Sequence, residues 1–496
     1  MQYRYYVCCQ VMIGSLLFIL LRRSLMKTLD DQFLAPLLDE VVSGGYCVGC
    51  GACAGVSDGA LTMQVLQDGT KAPTSTASGA VPRHPEKVVA ACPFSRKSVS
   101  EDVLAGKFLP DANQHTPQLG SFISTSVVHC ASDGLRAKAS SGGFARWLMY
   151  RMLIDGHVSY VAHVEENRSA SPADPMFLFS LTDDPNEVLE GAKSAYYPVS
   201  LEEIIPAIKQ ADGPVAISAI PCFAKALRQI SLYDNELKSN IRFIVGIICG
   251  HMKSRGFAEM FAWQVGVRPE HLSGVDFRRK IEGLPANHKG FSARDARTSQ
   301  WTPVVDSKSL RGSDWGLGLL KNRACDFCDD VFAEVADVSV GDAWLPEYVS
   351  DSRGHSLVVV RNSFIEGLVS GAADSGDLVV HSIDADMAAK SQGGGLRHRR
   401  EGLAYRLWMS QKDGEWHPPK RVDASASHIH RRKRRLYYLR ARLTALSLSE
   451  FAEAKARDDL DGFFSSIDPL IQSYQRAKRP AWKAFLSRFK QLFRVG

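Results

Sequence analysis

The chain of 496 residues lacks an apolar run long enough to span a bilayer. Its one candidate, Val11–Leu21, is bounded by Arg22 and Arg23 and falls short of the roughly 20 residues a transmembrane helix needs. That run also lacks the small-residue cleavage site of a signal peptide, and its arginines sit on the wrong side. Eleven cysteines in a chain this long are too sparse for a secreted disulfide scaffold, and their clustering suggests metal ligation in a reducing compartment. A formal net charge of +6 is too mild to argue for nucleic acid, and no recognition motif accompanies the basic stretches. The hydrophobic share of 45% and charged share of 23% are ordinary for a globular chain, and the length suits two or three domains. Translation is expected to begin at Met26, where Met26-Lys27-Thr28-Leu29 opens a first helix. The expected location is cytoplasmic.

What is present is concentrated in cysteine. Cys47, Cys50 and Cys53 are each separated by two residues, and Cys92-Pro93 follows at a distance. That is the ligand grammar of a cubane iron–sulfur cluster. Gly49 and Gly51 let the backbone curl around one small object, and the proline keeps the chain out of a helix after the fourth ligand. Zinc is the alternative occupant of such thiolates. The pattern Ala60–Val65 alternates like a strand, Asp68-Gly69 signals a hairpin turn, and residues 71–85 read as a surface loop.

A core of alternating strands and helices begins near Gly120. Val127–Cys130 reads as a strand, and Ser140-Ser141-Gly142-Gly143 opens a helix through Leu153. Small residues there free backbone donors for a phosphate, or serve simply as a helix cap. Two buried-strand patterns, Pro214–Ile220 and Ile241–Ile248, each end in a cysteine: Pro221-Cys222 and Cys249-Gly250-His251. Open α/β sheets place their sites at this carboxyl edge. With Cys325-x-x-Cys328 they form a second candidate four-thiolate set, unless Cys222 and Cys249 are only small buried residues. Cys8, Cys9 and Cys130 fit no ligand grammar. Asp337 and Asp342 are candidate catalytic acids, though turn and cap roles are commoner beside glycine. Past Asp386 the character changes: Arg397-His398-Arg399-Arg400 and the run His428–Arg435 precede helix-like sequence. This basic tail reads as a solvated face, or as a contact for an anionic membrane surface (placing the protein at the inner face of the membrane) or an acidic partner.

In order along residues 27 to about 365, these motifs resemble the beta-subunit family of coenzyme F420 hydrogenase/dehydrogenase, which includes the 7-hydroxymethyl chlorophyll a reductases. The resemblance is carried by the Cys47 triplet with Cys92-Pro93, Ala139–Gly143, Ile220-Pro221-Cys222 with Ala226-Leu227-Arg228, Cys249-Gly250-His251, Asp276–Lys280, Cys325-x-x-Cys328 and Ala336–Trp344. It implies an α/β fold, with a mixed-sheet FAD-binding core, a small N-terminal ferredoxin-like portion and up to two 4Fe-4S clusters. Residues 1–26 are then a leader, 27–110 the iron–sulfur domain, 111–385 the FAD core with the second cluster, and 386–496 the basic, largely helical tail. Carried over, Ser140, Ser141, Gly142, Gly143 and Pro221 lie against FAD, as do Lys193, Ser194 and Tyr196. These last three stand where the family has Ser-Lys-Tyr; here Ala195 holds the middle place and the lysine is displaced to Lys193. Clusters pass single electrons and a flavin can release two as hydride. The implied function is an oxidoreductase between a one-electron partner such as ferredoxin and a small two-electron substrate, the deazaflavin coenzyme or another organic acceptor. The rival class is a non-catalytic iron–sulfur or zinc protein with a regulatory or structural role.

Overall fold

The computed structural model describes residues 34–77, 80–168, 171–191 and 193–478. The apolar run, Met26, Cys8 and Cys9 lie outside the described residues. Near the start, β1 (Leu61–Val65) and β2 (Lys71–Ser75) form an antiparallel hairpin. Asp68 closes its turn by accepting from the backbone and hydroxyl of Thr70 at 3.0 and 2.6 Å. The stretch after Gly69 is therefore a strand through Ser75 rather than loop, because Ala72 is buried beneath it.

A short pair, β3 (Gln114–Thr116) and β4 (Gly120–Phe122), leads into the main sheet. Its members are β5 (Ser124–Cys130), β6 (Tyr160–Glu166), β7 (Phe177–Thr182), β8 (Val215–Ala219) and β9 (Ile241–Ile247). A side sheet of β10 (Leu272–Lys280), β11 (Lys289–Asp295) and β12 (Val305–Asp306) intervenes. The chain then returns to the main sheet with β13 (Val338–Asp342), β14 (Ser356–Val360) and β15 (Leu378–Ser382). The eight strands run in the order β15-β5-β14-β13-β9-β8-β6-β7. The central four, β13, β9, β8 and β6, are parallel, and the flanking pairs are antiparallel. Ala216, Ile217, Ile244, Val245 and Val338 are fully buried, as near-continuous apolar strands covered on both faces must be. The mixed α/β architecture thus places the carboxyl ends of β8, β9 and β13 at one edge, where the site lies.

The tail does not stand apart. Helices Arg431–Arg457 and Leu460–Lys478 bury Leu439, Leu443, Phe451, Phe463 and Ile467 in the same core that holds Leu37, Cys50, Ile217 and Phe257. The basic start of the first helix, Arg431 to Lys433, is exposed. No described helix is long and apolar enough to cross a membrane.

Candidate functional site

The first thiol group is built by two local devices. Gly49 and Gly51 adopt φ of 77° and 74°; a Cβ on Gly49 would stand 2.9 Å from the Lys71 carbonyl, and one on Gly51 would collide with Ser200 Oγ. The helix Pro85–Ala91 then ends at Cys92, whose extended backbone turns the chain away. Cys50, Cys53 and Cys92 are buried and Cys47 half-buried. Burial pushes the Cys50 thiol up to about 12, and raises Cys53 and Cys92 too, each further raised by charge on the neighbouring cysteines. Buried thiols that resist ionising, with charge on one another as a further cause, are the kind a cationic centre takes as thiolates.

The second group assembles at the sheet edge. Cys222 sits in the first turn of helix Pro221–Ile230, directly after β8. Cys249 follows β9, Cys325 lies within the short turn Arg323–Phe327, and Cys328 directly follows that turn. Burial raises the Cys222 thiol well above its usual range, followed by charge on Cys328, Cys249, Cys50 and Cys325. Cys50 and Cys222 therefore bring the two groups within electrostatic reach of each other. Among the described residues, no three or more His, Cys, Asp or Glu side chains stand in the arrangement of a single-ion site.

Charge surrounds this second group. Asp326, inside the Cys325–Cys328 turn, is buried and pairs with Lys321, with His398 at 3.2 Å and with Arg406 at 3.8 Å. Burial opposes its ionisation, but Lys321 and Arg406 hold the carboxyl well below the usual range. Lys420 meets Asp329 at 3.5 Å, and Arg421 meets Glu334 at 2.7 Å and Glu101 at 3.3 Å. The tail thus supplies buried counter-charges in addition to its exposed basic start at Arg431 to Lys433. A buried carboxylate is tolerable only when paired.

Beside Cys249 opens a cavity of about 1030 Å³. One wall is the N-terminus of helix Phe144–Ile154, capped by Gly143 at φ 92°. The carbonyl of Ser140 accepts from Arg278 at 3.0 Å and Lys289 at 3.3 Å, and that of Ser141 from Lys280 at 3.0 Å. Burial and then the neighbouring cations push Lys280 down to about 7 and Lys289 to about 8. Arg278 also pairs with Asp342 at 2.5 Å, yet its Nε is buried with no partner. A cluster of cations that repel one another beside a helix N-terminus fits an anionic group such as a pyrophosphate. Aromatic side chains, among them Phe144, Phe223, Phe257 and Trp315, complete the wall.

Two sequence profiles of one family match this chain. The N-terminal part of the coenzyme F420 hydrogenase/dehydrogenase beta subunit covers residues 126–206, and its C-terminal part residues 212–386, together just over half the chain. The chain belongs to the coenzyme F420 hydrogenase/dehydrogenase beta-subunit family. It is an oxidoreductase of that family, whose members are associated with iron–sulfur clusters. The coenzyme F420 hydrogenase subunit beta of Methanococcus voltae is 24% identical over 274 residues, spanning 53% of this chain and 86% of that protein. A chain of the F420-reducing [NiFe] hydrogenase complex from Methanosarcina barkeri is similar at a TM-score of 0.45 and 17% identity, over 64% of this chain and all of that one.

Within this beta-subunit homologue the expected site residues are placed unevenly. Ser140, Ser141, Gly143, Lys193, Ser194 and Tyr196 line the cavity; Gly142 and Pro221 lie outside its lining. A Cβ on Gly142 would stand 2.5 Å from the Val128 carbonyl and 2.7 Å from the Ser356 amide. Its glycine serves the packing of the turn on β5 and β14. Pro221 starts its helix, where a missing N–H costs nothing. Ser140 Oγ accepts from the Ser194 amide at 3.1 Å, and Lys193 pairs with Asp276 at 2.9 Å. Tyr196, at φ 47°, contacts Trp315 and accepts from Arg278 at 3.3 Å. Asp337 is buried structure, pairing with Arg228 at 2.8 Å and accepting from the Ile244 amide at 2.7 Å. Cys130 is buried on β5 under the Gly143 turn. Sequence reasoning assigned no role to Arg278, Lys280, Lys289, Trp315 or Arg399. The cationic run Arg278-Arg279-Lys280 within a strand was the available signal for the first two.

Proposed function

We propose that this chain is an iron–sulfur flavoprotein that exchanges electrons between a one-electron carrier and a small two-electron substrate. Cys47, Cys50, Cys53 and Cys92 hold one 4Fe-4S cluster; Cys222, Cys249, Cys325 and Cys328 hold a second; the cavity takes FAD. When bound, these groups supply single-electron exchange and its conversion to two-electron chemistry. The observation that carries the reading is continuity: Cys50 is within electrostatic reach of Cys222, and Cys249 of the second group lines the cavity. The protein's own part is placement. The Ser140–Gly143 turn with Arg278 and Lys289 holds an anionic ligand portion, while Phe144, Phe223, Phe257 and Trp315 keep water from the reacting face. A ferredoxin-like carrier suits the first group, and the deazaflavin coenzyme for which the relatives are named, or another organic acceptor, suits the cavity.

Anaerobic purification with metal, sulfide and flavin analysis tests this. The expected load is about eight iron, about eight sulfide and one FAD per chain, as two four-iron clusters require. Zinc without iron or sulfide would instead indicate a structural zinc protein. Iron and sulfide without any flavin would indicate a non-catalytic iron–sulfur protein.

A further inference from the structure

Arg399 ends the helix Gly393–Arg399, beyond the last family-matched residue, and is only 1% exposed. Its guanidinium donates to the Gly250 carbonyl at 2.9 Å and to the Asp330 carbonyl. Both carbonyls belong to the second thiol group's own framework. Gly250 directly follows Cys249, and the Asp330 carbonyl also accepts from Cys328 Sγ at 3.3 Å. Its Nε is buried without a hydrogen-bond partner, and no described carboxylate forms an ion pair with it. The charges it senses most are those of Cys328, Cys249 and Cys325, with a smaller contribution from the buried Asp330 carboxyl. A guanidinium is always charged, and burying it without a paired carboxylate is costly unless other negative charge lies beside it. Three of the four second-group thiolates, carrying a cluster, would provide that charge.

We propose that Arg399 is a positioning residue of the second thiolate site, a permanent buried cation that raises the reduction potential of the cluster held there. This rests on the proposed two-cluster function. The physical reason is direct: reduction adds one negative charge to the cluster and breaks no bond, and a fixed cation in a dry site stabilises the added charge. The balance is one electron leaving the carrier at the first site and one arriving at the second, with two such transfers serving the two-electron substrate. Arg399 makes the step from first to second site downhill.

The test uses the anaerobically purified full-length holoprotein, with Arg399→Gln, which keeps amide donors without charge, and Arg399→Lys, which keeps charge without the fork. Iron and sulfide are counted, and the clusters are titrated potentiometrically with EPR detection. In Arg399→Gln, one cluster should lose at least tenfold in its reduced-to-oxidised ratio at fixed potential, about 59 mV for one electron, while the other is unchanged. Arg399→Lys should shift the same cluster far less. Equal potentials in wild type and Arg399→Gln at full iron content overturn the proposal, as does loss of one cluster from both variants, which marks a purely structural residue. A wild-type protein without two clusters overturns the functional reading itself, a result distinguishable by the iron count alone.

Discussion

The two thiol groups solve the same problem with opposite surroundings. Around Cys50, Cys53 and Cys92 the influences on the thiols are burial, one another and the backbone amides of Ala52, Ala54, Phe94 and Ser95. Around Cys249, Cys325 and Cys328 burial raises the thiols, and the Arg399 cation, joined at Cys328 by Lys420, opposes that rise. Cys50, Cys53 and Cys92 are thus set among backbone groups, and the second group is set in a lattice of buried ions. The difference teaches where each can be tuned. Backbone dipoles are fixed by the turn, whereas side-chain cations can be exchanged one at a time. If each group holds a cluster as proposed, the Arg399 cation, which forms no described ion pair, would make the second the better electron acceptor.

The largest expected effect follows from breaking that ionic lattice. Asp326→Asn removes the partner of Lys321 and Arg406, both almost wholly buried. Unpairing buried charge costs about 3–5 kcal/mol, so the variant should melt well below wild type or accumulate as insoluble protein. A melting temperature unchanged by Asp326→Asn would mean that the charges around the second group are hydrated rather than buried. Among the described influences on Cys50, Cys53 and Cys92 there is no ion pair. There the sharper break is Cys50→Ser, which should remove about half the iron and leave flavin content intact, as read by metal and flavin analysis. Iron and sulfide equal to wild type in that variant would sink the assignment of the Cys47 group.

How much of this was legible in the sequence follows the same division. The cysteine sets were readable because ligand grammar is local: the triplet at 47, 50 and 53 and the pair at 325 and 328 are spacings, and Cys222 and Cys249 mark strand ends. The strands around them were readable from apolar runs, and both Val215–Ala219 and Ile241–Ile247 fall inside the expected stretches. The ionic lattice was not readable. Arg399, Arg406 and Arg421 look like any exposed basic run until folding sets them against the Cys249 turn, Asp326 and Glu334, partners far away in sequence. Gly142 was misleading for a related reason: its missing side chain accommodates β5 and β14 backbone, which no one-dimensional pattern distinguishes from room for a ligand. Valine there would disrupt the turn whether or not it binds flavin, so the cavity needs a different probe.

That probe is Lys289, which lines the cavity and donates to the Ser140 carbonyl. Lys289→Met removes one cation without touching either thiol group. A hydrogen bond to a charged group is worth about 1.5–3 kcal/mol, so FAD affinity should fall roughly 10- to 100-fold while iron and sulfide stay at wild-type levels. Equal FAD affinity in the variant, measured by fluorescence titration of flavin-depleted protein, would remove the cation cluster from the flavin site.

The smallest effect is a pH dependence, and its sign separates the cavity from both thiol groups. Burial, and then repulsion from neighbouring cations, holds Lys280 at about 7 and Lys289 at about 8 in the ligand-free protein, against about 10.4 in an unfolded chain. Below pH 7 both are protonated in either state. Between roughly pH 7 and 10 the unfolded chain holds more protons, so the stability of flavin-free protein should rise with pH across that window. An anionic ligand favours the charged lysines, raises both pKa values and cancels that rise. The gap in melting temperature between FAD-bound and FAD-free protein should therefore narrow from pH 6.5 to 9, by a few degrees at most. Cys50→Ser should leave this narrowing in place, and Lys280→Met should reduce it, since the effect belongs to the cations around the Ser140–Gly143 turn. A gap that widens with pH in wild type would mean that the lysines are not the groups that meet the ligand's charge.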